Sequence, residues 1–193
     1  LAALREVAFF SPLLALPRVR GLQWWFPFLF LRILSMIIAL GSDHAGFEEP
    51  PPFYKPALAE HLRSLGHEVI DCGPAGPGSV DYPDFAARVC GKILSGEAEM
   101  GVLLCGTGMG ISIAANRFKG IRAAVCDRPE MAWLAREHND ANVLCLGKRL
   151  LTLREALNLI DIFLATPFSR GERHQRRVEK LDTISEHHDS ADA

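Results

Sequence analysis

The run Val102–Ile111, Val-Leu-Leu-Cys-Gly-Thr-Gly-Met-Gly-Ile, passes from an apolar stretch through three glycines into a helix-like segment. Glycine lets a chain turn tightly and lets a ligand come close to the backbone. Amide groups at the start of the following helix, with its dipole, favour negative charge. Gly106, Gly108, Met109 and Gly110 therefore form a candidate anion cradle, set against the plainer reading of a tight turn between strand and helix. Cys105 and Thr107 stand at its lip. A thiol beside a helix N-terminus is eased toward thiolate, which can serve as base or nucleophile. A lone cysteine elsewhere is more often a small buried hydrophobe.

Two histidines stand at comparable junctions. Asp43-His44 follows the first strand-like run, and His138 lies in Glu137-His138-Asn139-Asp140 at the end of a helix-like one. Imidazole titrates near neutrality and can move protons, although either residue alone would usually be structural. The segment Arg170–Arg177 is locally basic. Arg173 and Arg177 are four apart and share a helix face, so two guanidinium forks can meet one phosphate. The glycine loop departs from the dinucleotide fingerprint, because its third glycine comes one residue early. Asp127 does satisfy the acidic position about 20 residues on, so nicotinamide binding stays a weaker alternative. No Gly-Lys-Ser/Thr follows, which excludes a phosphate-binding P-loop.

These residues need elements to hold them. Strand-like runs cover 37–40, 68–71, 101–105, 122–126 and 142–146, and helix-like segments cover 54–65, 84–94, 110–117, 129–137 and 152–164. A polar segment, 173–186, has apolar residues three apart and is read as a terminal helix. Strands alternating with helices predict crossovers and a parallel sheet covered on both faces. In such a sheet, ligands bind beyond the carboxyl ends of the strands. That rule singles out 41–44, 105–110 and Asp127-Arg128.

The chain has 193 residues, 49% of them hydrophobic and 23% charged, with a net charge of −2. That size allows one domain with a tail, and the composition excludes global disorder. The charge gives no case for a nucleic-acid partner. Residues 1–35 carry a net +3, which leaves −5 on the remainder. Their apolar run 22–34 is short and is broken by Pro27 and Arg32, so it is a poor membrane span and no membrane partner is expected. No Ala-x-Ala cleavage site follows it. Residues 1–35 are read as an extension or upstream translated sequence, with Met36 as the start of a domain over 36–187 and a tail over 188–193. Five cysteines without a CxxC pair argue against disulfides and zinc, and for a reducing cytoplasm.

Six segments then occur in a telling order: Gly41-Ser-Asp-His-Ala-Gly-Phe47, Asp81-Tyr-Pro83, Cys105–Asn116, Gly120-Ile-Arg-Ala123, His138-Asn-Asp140 and Arg173-His-Gln-Arg-Arg-Val178. With them the chain, over about 36–186, resembles the sugar-phosphate isomerase family of ribose-5-phosphate isomerase B and the galactose-6-phosphate isomerase subunits. The resemblance implies a three-layer αβα sandwich with a five-stranded parallel Rossmann-like sheet and a C-terminal helix. It implies a homodimer with shared active sites, no cofactor and no metal. The implied reaction interconverts ribose 5-phosphate and ribulose 5-phosphate, in the pentose phosphate pathway. Cys105 is implied as the base at carbon, Thr107 as its helper at the sugar oxygens, and the amides of Gly106–Gly110 as the enediolate cradle. Asp43 and His138 are implied as the ring-opening pair, with Asn139 beside them and Tyr82 on the substrate. His44, Arg149, Arg173, His174 and Arg177 fall on phosphate-side positions, with His138, Asn139 and Arg149 coming from the partner subunit. A six-carbon sugar phosphate, or a non-catalytic sugar-phosphate or nucleotide-binding domain, is the alternative. After Phe47 the family runs directly into a helix, whereas Glu48–Lys55 here inserts about five residues by eye, which bears on the pocket rim.

Overall fold

The structure is a computed structural model and describes residues 35–184. The expected extension over 1–35, save Ser35, lies outside the described residues. So do the tail 188–193 and the end of the expected terminal helix.

Five parallel strands form one sheet in the order β2-β1-β3-β5-β4. They are β1 (Ile37–Ser42), β2 (Glu68–Asp71), β3 (Met100–Cys105), β4 (Ala123–Val125) and β5 (Val143–Gly147). A short 3-10 turn, His44–Phe47, follows β1. The α-helices are α1 (Tyr54–Ser64), α2 (Tyr82–Leu94), α3 (Met109–Ala115), α4 (Pro129–Asn139), α5 (Leu153–Ala165) and α6 (Glu172–Thr183). The αβα sandwich expected from the sequence is therefore the fold.

Side-chain alternation along the strands sorts the core into two layers. Ile38, Leu40, Val102, Leu104, Leu144 and Leu146 pack with Leu58, Leu62, Ala132, Leu159, Ile160 and Phe163 of α1, α4 and α5. Ala39, Leu103, Val143 and Cys145 face the other way, onto Ala86, Val89, Ile111 and Ala115 of α2 and α3. Burial on both faces explains why the strands read as short unbroken apolar runs rather than alternating ones.

Element ends differ from the expected ones for local reasons. β1 runs on to Ser42 because Gly41 and Ser42 continue the ladder against Leu103 and Leu104. Helix α2 begins at Tyr82, two residues early, since Pro83 has no amide to lose in a first turn. Helix α5 starts at a full capping box, in which Thr152 Oγ1 accepts the Glu155 amide and Glu155 reaches back to the Thr152 amide. All five cysteines are free and buried. Among the described residues, no helix is long and apolar enough to cross a membrane.

Candidate active site

The carboxyl ends of β1, β3 and β5 meet where the chain order reverses, and a first group of polar residues gathers there. Cys105 ends β3, opposite Gly147 at the end of β5. The loop then folds back, so that the Gly108 amide donates to Cys105 Sγ at 3.1 Å. This return needs φ +78° at Gly108, a conformation that costs any residue with a Cβ. Thr107 Oγ1 accepts the Met109 amide at 3.4 Å. A Cβ on Gly147 would stand 2.7 Å from the Thr107 carbonyl carbon, so the end of β5 and the loop touch backbone to backbone. A Cβ on Gly110 would stand 2.7 Å from the Tyr82 ring, which lies over the start of α3.

Asp43 sits at the end of β1 and is almost fully buried. Its Oδ1 accepts the Ala45 amide at 2.8 Å and caps the 3-10 turn. Burial raises its pKa above the ordinary carboxylate value, opposed by the Ala45 bond and by the charges of His44 and Arg149. His44 Nδ1 lies 3.4 Å from the Val80 carbonyl. The Arg149 amide donates to the Gly106 carbonyl at 2.9 Å, and its guanidinium lies against Gly106.

The other four thiols lie in the core. Burial pushes Cys90 up to about 11 and Cys126 up to about 12, and raises Cys72 and Cys145 as well. They remain neutral fillers of the core.

A second group forms where α4 ends and α6 begins. The His138 and His174 rings lie 4.2 Å apart between centroids, and the Trp133 ring lies 6.1 Å from that of His138. His174 Nε2 lies 3.1 Å from Arg173 Nη2 and His174 Nδ1 lies 2.9 Å from Ser169 Oγ. Desolvation first, then the positive neighbours His138, Arg173 and Arg177, lowers the His174 pKa. In the neutral ring Nε2 accepts from Arg173, so Nδ1 carries the proton and donates to Ser169. Asn139 is the last residue of α4, and Asp140 caps it in the left-handed region at φ 46°.

The two groups lie at opposite ends of the sheet. Helix α4 runs antiparallel to the strands it connects. Its end is tied to the beginnings of β4 and β5: Arg122 Nε donates to the Asp140 carbonyl at 2.9 Å, and the Asn142 amide donates to the Arg122 carbonyl at 3.1 Å. At roughly 3.3 Å per residue, β5 alone separates the groups by about 13 Å. Among the described residues no hydrogen bond, ion pair or ring contact joins them. The structure thus brings together Asp43, His44, Tyr82, Cys105, Gly106, Thr107, Gly108, Met109, Gly110 and Arg149. It assembles His138, Asn139, Arg173 and His174 separately, with Arg177 one turn along α6. One expectation is corrected. Arg149 belongs with Cys105 rather than with His138 and Asn139, because it follows β5 directly and its guanidinium packs on Gly106 of its own chain. Asp127-Arg128, singled out by the strand-end rule, is an exposed pair at the edge strand, with Arg128 Nε bound to Asp127 Oδ1 at 2.9 Å.

Sequence reasoning missed several supporting residues. Asp140 binds Arg122 Nη2 at 3.0 Å and Arg136 Nη1 at 2.8 Å, so it holds the end of α4 that carries His138. Gly147 admits Thr107, and Ser169 orients His174. Glu48 pairs with Arg149. Only Asp140 had a signal in the chain, as part of His138-Asn-Asp140; the others depend on contacts between distant segments. Among the described residues no group of three or more His, Cys, Asp or Glu side chains is placed to hold a metal ion.

Known proteins are similar to this chain in sequence and fold. Residues 38–181 match the model of the Ribose/Galactose Isomerase family. Ribose-5-phosphate isomerase B of Escherichia coli is 45% identical over 149 residues, which is 77% of this chain and 96% of that protein. Ribose-5-phosphate isomerase B of Mycobacterium tuberculosis is 39% identical over 157 residues, 81% and 94% of the two chains. The solved structure of the Clostridium thermocellum ribose-5-phosphate isomerase B superposes with a TM-score of 0.74 at 48% identity, covering 79% of this chain and 99% of that one. The Trypanosoma brucei type B enzyme does so with a TM-score of 0.73 at 41% identity, over 78% and 99%. With residues 38–181 matched and relatives 39–45% identical over nearly their whole length, this chain belongs to the ribose/galactose isomerase family.

Proposed function

We propose that this protein is an aldose–ketose isomerase that interconverts ribose 5-phosphate and ribulose 5-phosphate through an enediolate. The observation that carries the reading is the Cys105 sulfur, set beside the amides of a three-glycine loop at the switch point of the sheet, in a chain of this family. The Cys105 thiolate takes the proton from C2 of the open-chain aldose. The developing oxyanion meets the amides of Gly106–Gly110, and such donors act where charge appears in the transition state. Thr107 passes the O2 proton toward O1, and Cys105 returns its proton to C1. The net change is one hydrogen moved between carbons and one between oxygens, so no redox cofactor is consumed.

The furanose ring must open first. Asp43, with its raised pKa, and His138 exchange one proton with the anomeric hydroxyl and one with the ring oxygen, while Asn139 holds the sugar and Tyr82 covers it. The phosphate meets His44, Arg149, Arg173, His174 and Arg177 and supplies binding energy away from the reacting carbons. Because the two groups of residues stand at opposite ends of one sheet, the working site is shared in a homodimer, with His138, Asn139, Arg173, His174 and Arg177 from the second copy. Exposed Met109, Ile113 and Leu150 near the first group support a protein contact there. Free, buried thiols suit a reducing cytoplasm.

A coupled assay for ribulose 5-phosphate tests the reading. Turnover of ribose 5-phosphate is the expected result. A clear preference for allose 6-phosphate or galactose 6-phosphate would move the substrate to six carbons. Binding without turnover by a folded dimer would leave a sugar-phosphate-binding module.

A further inference from the structure

The proline-rich stretch after Phe47 is built into the site through a single acidic side chain. Glu48 closes the 3-10 turn, with its amide donating to the Ala45 carbonyl at 3.3 Å. Its carboxylate lies across the guanidinium of Arg149, 101 residues away. Arg149 Nε lies 3.2 Å from both Glu48 oxygens, and Nη2 makes a still closer contact with Oε1. The Nε and Nη2 edge is the fork with which arginine grips a carboxylate or a phosphate. The remaining nitrogen, Nη1, faces Gly106.

The stretch is anchored at both of its ends. The Phe47 and Phe53 rings, at its two ends, lie 6.3 Å apart. Tyr54 donates its hydroxyl to the Leu151 carbonyl at 2.6 Å, and Lys148 Nζ lies 5.5 Å from the Tyr54 ring centre. Residues 47–54 and 147–151 therefore form one rim, with the Glu48–Arg149 pair at its inner side. The Arg149 bond also lowers the Glu48 pKa, so the carboxylate stays charged at neutral pH.

We propose that Glu48 tunes substrate affinity as an internal anion that occupies the fork of Arg149 and that a phosphate group must displace to bind. The inference rests on the reading of Arg149 as a phosphate contact. A phosphate dianion outcompetes a carboxylate monoanion for the guanidinium, whereas an uncharged sugar cannot. Glu48 thus weakens binding of every anion that uses the fork and leaves an uncharged sugar unaffected, so it sets how tightly the phosphorylated sugar is held.

The test measures inorganic phosphate binding by calorimetry and the KM for ribose 5-phosphate in the full chain, for wild type and Glu48→Gln. The amide keeps the size of the side chain but not its charge. Phosphate should bind about threefold or more tightly in Glu48→Gln, in line with one partly exposed ion pair released. KM should fall by a similar factor, because a uniform binding term moves KM rather than kcat. In an Arg149→Gln background the same substitution should change phosphate affinity less than twofold. Unchanged or weaker phosphate binding in a folded Glu48→Gln protein would overturn the proposal and make Glu48 a support for Arg149. Absence of turnover in the wild type would instead sink the isomerase reading, while the phosphate titration would still decide the role of Glu48.

Discussion

Gly108 donates its amide proton to the sulfur of Cys105 across 3.1 Å, three residues back along the chain. Gly108 itself stands in the left-handed region, at φ +78°. The same loop proposed to present donors to a substrate oxyanion thus also offers one to the candidate base. Removing the sulfur should cost chemistry above all, together with some stability, because the Gly108 amide loses its acceptor. Cys105→Ala should lower kcat by at least about 100-fold, the scale of general acid–base catalysis. Phosphate affinity should stay within about twofold, since remote binding is separate from the chemical step. Deuterium exchange at C2, followed by NMR, is the check, and full exchange in the variant would remove Cys105 from the role of base.

Gly147 offers a test of the scaffold under the loop. An added methyl there meets the Thr107 backbone at 2.7 Å, and backbone cannot swing aside as a side chain can. Gly147→Ala should destabilise the fold by about 1–3 kcal/mol, the usual scale of overpacking. It should also lower kcat by displacing Thr107. Urea unfolding and steady-state kinetics on one preparation measure both effects.

Asp43 couples activity to stability with a definite sign. Its folded pKa lies above the ordinary value of 3.8, chiefly through burial. The folded state therefore holds this proton more tightly than the unfolded state does. The associated stability is complete below pH 3.8 and is lost as the pH rises through the folded pKa. At pH 7 the buried carboxylate strains the fold. Asp43→Asn, which can still accept the Ala45 amide, should raise Tm at pH 7, with the gain fading toward pH 4, while kcat falls sharply. The acid limb of wild-type kcat/KM should stand above the ordinary carboxylate range. A lower Tm for the variant at pH 7 would contradict this account.

The separation of the two groups predicts complementation between subunits. Cys105→Ala and His138→Ala homodimers should each be nearly inactive. After unfolding together and refolding in equal amounts, half of the dimers are mixed, and each mixed dimer holds one intact site of two. About a quarter of wild-type activity should return, as twofold symmetry requires. No recovery, with mixed dimers confirmed by mass spectrometry, would place both residues in the site of a single subunit.

Much of this molecule is legible in the chain. Five short apolar runs alternating with longer amphipathic ones are enough for a doubly covered parallel sheet, because burial on both faces leaves that pattern. Local motifs were equally readable: three glycines after a strand, a cysteine at their head, and two arginines a helical turn apart. All of these depend on neighbours within a few residues. What the tertiary structure decided depends on segments far apart in the sequence. The edge position of β4, next to β5, leaves Asp127 and Arg128 outside the site. The antiparallel course of α4 carries His138 to the far end of the sheet from Cys105. The return of β5 beside β3 sets Arg149 against Gly106 of its own chain. Glu48, in a stretch that read only as an insertion, meets Arg149 because the rim closes around it. Chemistry carried by neighbouring residues could be read from residue type and spacing, whereas the separation of the two residue groups and the occupation of Arg149 by Glu48 arise only when distant strands pack.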